Sequence, residues 1–288
     1  MTNPTNFSSD ERKKISNMIN NFKSGEKSEN MNDEYAGLQK ETDPDLILSY
    51  EIVKLPSNGL FYPNNISEVN VEYMTSKDED LISTPSLIEN NTVIDLLLKR
   101  KVKNCPIPIE SLLPGDRNAI ILFLRISSYG SEYTVMVNDP RTGVPFKAVV
   151  DLLSLKNKEV NEYPDELGHF SVYIPMRKKE VKFRLISSGE DNYLVKQAQT
   201  IQELYGEEFS TYNTLRLKAS IVSIGGNQDH NYISKFVDAM PALDAYTIRK
   251  KILEVSPDID MRYEFTTKDG YSFIANLEVG SDFFFPQN

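Results

Sequence analysis

Residues 115–127 read GDRNAIILFLRIS, and this stretch decides the fold. Its spacing predicts a helix from Arg117 to Ser127, opened by Gly115-Asp116. The helix is apolar on nearly all sides, which is typical of a helix buried within a core. The run from Ala119 to Leu124 is also the longest apolar run of the chain. It is far too short for a bilayer, which takes about 20 apolar residues.

Two β-hairpins are predicted downstream of this helix. In each, two strands flank a turn rich in Asn, Asp, Pro or Gly, the residue types that turns favour. The predicted strands are Glu132–Val137 with Pro145–Asp151, and Met261–Thr266 with Tyr271–Leu277. Further strands are predicted at Glu51–Leu55, Val69–Tyr73, His169–Ile174 and Glu180–Ile186.

Helical patterns occupy most of the remaining ordered sequence. Thr92 and Asp95 have the spacing of a capping box and open a helix through Val102, with Val93, Leu96 and Leu97 facing inward. After Ser188 four helices are predicted from apolar spacing. The second of them carries Leu215, Ala219 and Val222 on one face and ends at Gly225-Gly226.

These elements predict an α+β fold class: mixed β-hairpins around a buried central helix, with an inserted helical stretch. We divide the chain into four parts. Residues 1–48 form a polar arm, expected to be disordered because it has too little apolar area to offset ordering entropy. Residues 49–187 form a mixed α/β core, 188–256 a helical segment, and 257–288 a C-terminal hairpin that packs back on the core.

The overall charge narrows the classes of function. The chain has 288 residues and a formal net charge of -10. A surface of this sign repels nucleic-acid phosphates and anionic lipids, so we expect no nucleic-acid partner and no membrane contact. A single cysteine, Cys105, excludes an intramolecular disulfide, and the N-terminus lacks the basic and apolar pattern of a secretory signal. The expected location is a cytosol.

No reactive constellation stands out. Zinc sites need Cys and His in pairs, whereas His169 and His230 are far apart and have no local partner. Cys105 lies beside Pro106 without a nearby base, and the chain has no nucleotide-binding glycine loop. We therefore predict no catalytic residue, no metal site, no cofactor and no small-molecule substrate, and that the protein is not an enzyme.

Exposed apolar side chains are the remaining candidates for function, as anchors for partner proteins. A short amphipathic helix in the arm is an alternative to a solvated tail, and the other aromatics can instead pack on their own core. The predicted partner-binding residues are Ile15, Met18, Ile19 and Phe22 in the arm, Phe61 and Tyr62 in a Pro-flanked loop, and Phe283, Phe284 and Phe285 near the end.

Several short segments along the chain carry a family resemblance through their combined order and spacing. They include 55–63 (LPSNGLFYP), 74–88 (MTSKDEDLISTPSLI), 113–130 (LPGDRNAIILFLRISSYG), 236–244 (FVDAMPALD) and 283–286 (FFFP). Together, from about residue 50 to the end, they resemble the baseplate hub assembly proteins of contractile-tailed phages of the T-even type. The resemblance implies protein–protein binding to other phage tail and baseplate hub proteins. It also implies a location in the host cytoplasm during assembly, with the virion tail as the alternative.

The chain departs from the resemblance at the hairpin tips. Relatives often carry Cys-x-x-Cys pairs there, as in a zinc ribbon, whereas these tips read 138–143 (NDPRTG) and 266–270 (TTKDG). The resemblance implies that the two hairpins pair in space, held by turn chemistry and packing instead of metal. Three functions stay open: a transient assembly factor, a permanent structural subunit of the baseplate, and a nucleic-acid-binding or enzymatic module derived from a zinc ribbon.

Overall fold

The computed structural model describes residues 49–89, 92–206, 210–277 and 281–284. The predicted arm of residues 1–48 lies outside these ranges, and with it Ile15, Met18, Ile19 and Phe22; Phe285 also lies outside them. The contacts of the described residues group them into one compact unit.

The described elements alternate between short antiparallel strands and helices. The strands are β1 (Tyr50–Lys54), β2 (Glu68–Glu72), β3 (Val102–Lys103), β4 (Glu132–Asn138), β5 (Pro145–Asp151), β6 (His169–Ile174), β7 (Lys179–Arg184), β8 (Ile221–Ile224), β9 (Arg262–Thr266) and β10 (Ser272–Asn276). The α-helices are α1 (Ser76–Ile82), α2 (Pro85–Glu89), α3 (Val93–Lys101), α4 (Pro114–Tyr129), α5 (Ser188–Tyr205), α6 (Tyr212–Ser220), α7 (His230–Asp238) and α8 (Ala242–Val255). Short 3-10 helices span Pro63–Asn65, Ile109–Ser111, Leu152–Ser154 and Ser281–Phe284. The mixed α+β class is confirmed.

The central helix α4 is the predicted one, and it is longer than predicted at both ends. It begins at Pro114, whose fixed φ suits the first turn of a helix, and is followed by Gly130 at φ +81°. Ile120 and Leu124 are fully buried. At Gly115 a Cβ would lie 2.1 Å from the carbonyl oxygen of Pro257, so only glycine fits this close approach.

The first hydrophobic cluster surrounds α4. The three-stranded antiparallel sheet β1-β2-β3 contributes Val53, Val69 and Val71, and the hairpins β4–β5 and β9–β10 contribute Val150 and Phe265. The predicted hairpin strands are confirmed to within one residue at each end. Elements from both ends of the described chain therefore share one core.

The second cluster joins the sheet β6-β7-β8 to α6, α7 and α8. Its buried side chains include Phe170, Phe183, Ile233 and Ile248. The predicted boundary between residues 187 and 188 falls after β7, yet the side chains of β6 and β7 pack with the helices that follow it. The division of residues 49–288 into three parts stays a prediction.

One predicted helix is wrong at its end. The pattern placed Val222 on the same helical face as Leu215, but α6 ends at Ser220 and β8 begins at Ile221. Ser223 pairs with Lys182 of β7. β-Branched residues favour the pleated surface of a sheet, and the free edge of β7 makes that pairing available.

The start of α3 also differs from the prediction. The Thr92 side chain makes no cap hydrogen bond, and its hydroxyl donates to the Leu87 carbonyl at 3.4 Å instead. The Asp95 side chain accepts a hydrogen bond from Arg117 of α4. Val93 and Leu97 are buried as expected, whereas Leu96 is 37% exposed. Positions i and i+4 share the buried face of the helix, and Leu96 lies to one side of it.

Candidate protein-binding groove

The predicted anchor Tyr62 is a structural residue of the first core. Its hydroxyl donates a hydrogen bond to the buried carboxylate of Asp116 and accepts one from the Leu113 N–H at 2.7 Å. The Ser57 N–H donates to the same carboxylate at 2.9 Å. Burial raises the pKa of both Tyr62 and Asp116. This network pins the Pro-flanked loop to the first turn of α4.

The neighbouring Phe61 joins the two hydrophobic clusters. It is half-buried and packs against side chains of both, and its ring centroid lies 6.1 Å from that of Phe170. Together with Tyr62 it positions the loop between the clusters. Tyr62 is buried in the protein's own core, whereas Phe61 stays partly exposed. Contact of either side chain with a partner stays a prediction.

Two of the predicted terminal aromatics are also core residues. Phe283 is 2% exposed and Phe284 is fully buried, and the Phe283 ring meets Tyr133 edge-on at 5.0 Å. Arg125, itself buried in α4, donates from Nε to the Phe283 carbonyl at 2.7 Å. Apolar burial and this hydrogen bond hold the C-terminal segment in place, and Phe283 also lines the groove described below. A direct contact of these rings with a partner stays a prediction.

The two hairpins lie together, as the resemblance implied, and an arginine joins their tips. Arg141 of the first tip contacts Asp139 at 2.8 Å and Asp269 of the second tip at 2.9 Å. Its guanidinium lies over the Tyr271 ring at 4.0 Å, a cation–π geometry. This cluster, which we call the tip clamp (Asp139, Arg141, Asp269 and Tyr271), links the two hairpins through Arg141 and Asp269, which are 128 residues apart in sequence.

We expect the tip clamp to weaken in acid. A hydrogen bond from Arg141 lowers the pKa of Asp139, and hydrogen bonds from Thr267 and Arg141 lower that of Asp269. A carboxylate with a depressed folded-state pKa contributes stability above its unfolded pKa of about 3.9, and loses it as the pH falls through the folded value. The free energy of unfolding of wild type minus that of Arg141→Gln should therefore be positive at pH 7 and shrink toward zero below about pH 4. Denaturant titrations at a series of pH values measure this difference. A difference that is independent of pH would contradict the clamp.

A groove opens between the hairpins, with a volume of about 710 Å³. It is lined by residues 135–138 of β4 and by residues 273–277, which include most of β10. Successive side chains of a strand point to opposite faces, so a groove touched by consecutive residues of both strands runs along their edges. Within the described residues, β4 pairs only with β5 and β10 only with β9. Both strands thus present an unpaired edge to the groove.

The groove is partly exposed and mixes apolar side chains with polar groups such as Asn138 and Asn276. Met136 is 53% and Ile274 is 69% exposed, and none of the described side chains that line it is charged. Sequence reasoning missed these two residues. Because side chains alternate between the two faces of a strand, Met136 and Ile274 fall on the outward face. Exposed apolar residues on such a face indicate a contact surface.

In the described part of the chain, no group of three or more His, Cys, Asp or Glu side chains could hold a metal ion. Cys105 is a free, partly buried thiol. Among the helices of the same part, none is long and apolar enough to cross a membrane.

The chain is thus a mixed α+β protein whose hairpins frame an uncharged groove. A family model described as "T4 bacteriophage base plate protein" matches residues 47–285, and the chain belongs to this family. The suspected T4-type baseplate family is therefore confirmed, and with it a role in baseplate structure or assembly. Neither the curated proteins nor the solved structures include a match to this chain.

Proposed function

We propose that this protein is a baseplate hub assembly protein that acts by binding other tail proteins in the host cytoplasm, without catalysing a reaction. The groove between β4 and β10 is the observation that carries the proposal. Its partner is another phage tail or baseplate protein, and its contacts need no metal, cofactor or small-molecule substrate.

The free strand edges suggest how such a partner binds. An unpaired edge presents a row of N–H and C=O groups, and natural proteins commonly protect such edges with charged side chains. This groove has no charged side chain among its described lining residues. An extended segment of a partner can add as a strand and pair its backbone with β4 or β10, while its side chains cover Met136 and Ile274. Specific pairing and apolar burial would then act together.

Charges placed in the groove should abolish binding. We expect the double variant Met136→Lys, Ile274→Lys to capture baseplate proteins at least about tenfold less well than wild type, because burying unpaired ammonium groups costs more than the roughly 1.4 kcal/mol that tenfold represents. The measurement is affinity capture of the tagged full chain from infected cells, with the captured tail proteins quantified by mass spectrometry.

Val149 provides the matched control for this experiment. It is 59% exposed on β5 of the same hairpin and does not line the groove, so Val149→Lys should capture as wild type does. Thermal unfolding should show all variants folded, since lysine is tolerated at exposed positions. Equal capture by the groove variant and wild type would contradict the proposal.

A permanent structural subunit is the second candidate, favoured by the description of the family as a base plate protein. Mass spectrometry of purified phage particles separates the two roles. Stoichiometric presence of the chain identifies a subunit, and absence from particles combined with capture of hub proteins identifies a transient assembly factor.

A further inference from the structure

A second concave site lies where the two hydrophobic clusters meet. It is a cavity of about 150 Å³ between the start of α4, the residues after β7, and helices α6 and α8. Its floor is apolar and buried, with Leu113, Ile186, Leu217 and Ile252 each at most 8% exposed. A dry apolar cavity of about this size accommodates a benzene ring. The floor is therefore suited to one aromatic or leucine side chain.

Two arginines, Arg216 and Arg249, line the same cavity. Within the described residues Arg249 is exposed and makes no hydrogen bond or ion pair. Arg216 forms an ion pair with Asp191, whose carboxylate oxygen lies 3.4 Å from its Nε and also accepts from Tyr212. That Nε is buried and makes no hydrogen bond, while the Arg216 side chain as a whole is 39% exposed. Arg249 thus has its whole guanidinium to offer a ligand, and Arg216 only the exposed part of its own.

One acidic side chain, Asp258, also lies among the described lining residues. Its carboxylate accepts hydrogen bonds from Asn118 at 3.0 Å and from the Ile259 N–H at 2.8 Å. Two arginines against this one aspartate leave the lining with a net positive charge. The cavity therefore combines an apolar floor with a cationic rim, on a chain whose net charge is -10. We call this site, defined by Leu217, Ile252, Arg216 and Arg249, the arginine cleft.

An exposed apolar stripe on α8 leads into the arginine cleft. Leu243, Tyr246 and Leu253 are 52%, 56% and 71% exposed, and their spacing of three and seven residues places them along one face of the helix. Leu253 also lines the cavity. A partner seated in the cleft would therefore cover more apolar surface than the cavity alone provides.

We propose that the arginine cleft binds an acidic, aromatic-bearing segment of a partner protein. The apolar side chain fills the cavity, and an adjacent carboxylate pairs with Arg249 and Arg216, whose planar donors suit carboxylates. The positive charge of the rim favours a carboxylate, and the volume of the cavity favours a single aromatic ring or leucine side chain. The proposal rests on the proposed function of protein binding, and it adds a second contact region to the groove.

A small probe tests the chemistry of the cleft directly. 3-Phenylpropionate combines a ring with a carboxylate, and its binding to the full chain can be followed by protein-observed NMR. We expect a dissociation constant on the order of a few millimolar, as its size allows. Binding should weaken at least about fivefold for the neutral 3-phenylpropionamide and for the Arg249→Gln variant, since each removes the charge pairing. Lys250→Gln, one position further along the helix, is the matched control and should bind as wild type does. Equal affinity for the amide, or in Arg249→Gln, would overturn the assignment of the rim.

Capture of baseplate proteins then tests the partner. Arg249→Glu should reduce capture of tail proteins from infected cells at least about tenfold, because it turns attraction into repulsion at the contact, whereas Lys250→Glu should not. Wild-type capture with no loss in Arg249→Glu would overturn the cleft proposal alone, including the case in which phenylpropionate still binds as a small molecule. No capture by wild type would overturn the proposed function as well. Self-association of wild type that Arg249→Glu disrupts would identify a second copy as the occupant and likewise overturn the proposal.

Discussion

Replacing Asp116 with alanine should lower the free energy of unfolding by about 3 kcal/mol. The change leaves two buried donors, the Tyr62 hydroxyl and the Ser57 N–H, without their hydrogen-bond acceptor. An unsatisfied buried donor costs about 1–3 kcal/mol, and part of this loss is offset because the buried carboxylate no longer has to be desolvated. Urea denaturation followed by circular dichroism measures the change.

An exposed aspartate of the same half of the chain is the control for this prediction. Asp80 lies on the exposed side of α1, so Asp80→Ala should change the free energy of unfolding by no more than about 0.5 kcal/mol. Equal losses in the two variants would show that the Asp116 network does not hold the loop to α4.

Replacing Phe284 with alanine should cost about 3–5 kcal/mol, the range for a phenylalanine removed from a core. Phe284 is fully buried, and its ring meets that of Phe283 edge-on at 5.9 Å. Truncation would leave a cavity beside α4 and loosen the segment whose carbonyl Arg125 holds. The change should appear as a shift of the denaturation midpoint with an unchanged slope.

Tyr163 is the matched aromatic for this second prediction. It is 72% exposed, so Tyr163→Ala removes a ring of similar size without opening a cavity and should be nearly neutral. A Phe284→Ala variant as stable as Tyr163→Ala would mean that the terminal aromatics do not belong to the core.

The parts of the fold that the sequence predicted well are those set by local chemistry. A helix that is apolar on nearly all sides is stable only when buried in a core, so the sequence pattern predicted the position of α4 correctly. The turn residues around Gly143 and Gly270, both at positive φ, located the two hairpins. β8 was missed because its strand character depends on pairing with β7, a contact that helical spacing does not register.

The candidate sites depended on contacts that are distant in sequence. Phe61 and Tyr62 looked like exposed anchors because they lie in a Pro-flanked loop, and the partner that buries Tyr62 is an aspartate 54 residues later. The groove forms only because β4 and β10 come together. That neighbourhood was implied by the resemblance and could not be derived from either hairpin alone.

In the proposed binding mode, the free edges of β4 and β10 receive a segment of another baseplate protein. Hydrogen–deuterium exchange, measured by mass spectrometry on the free chain and on hub complexes or baseplates that contain it, tests this directly, because added strand pairing slows the exchange of edge amides. We expect slower exchange in the assembly for residues 135–137 and 273–275. Unchanged exchange in both strands within an assembly that contains the chain would contradict this binding mode.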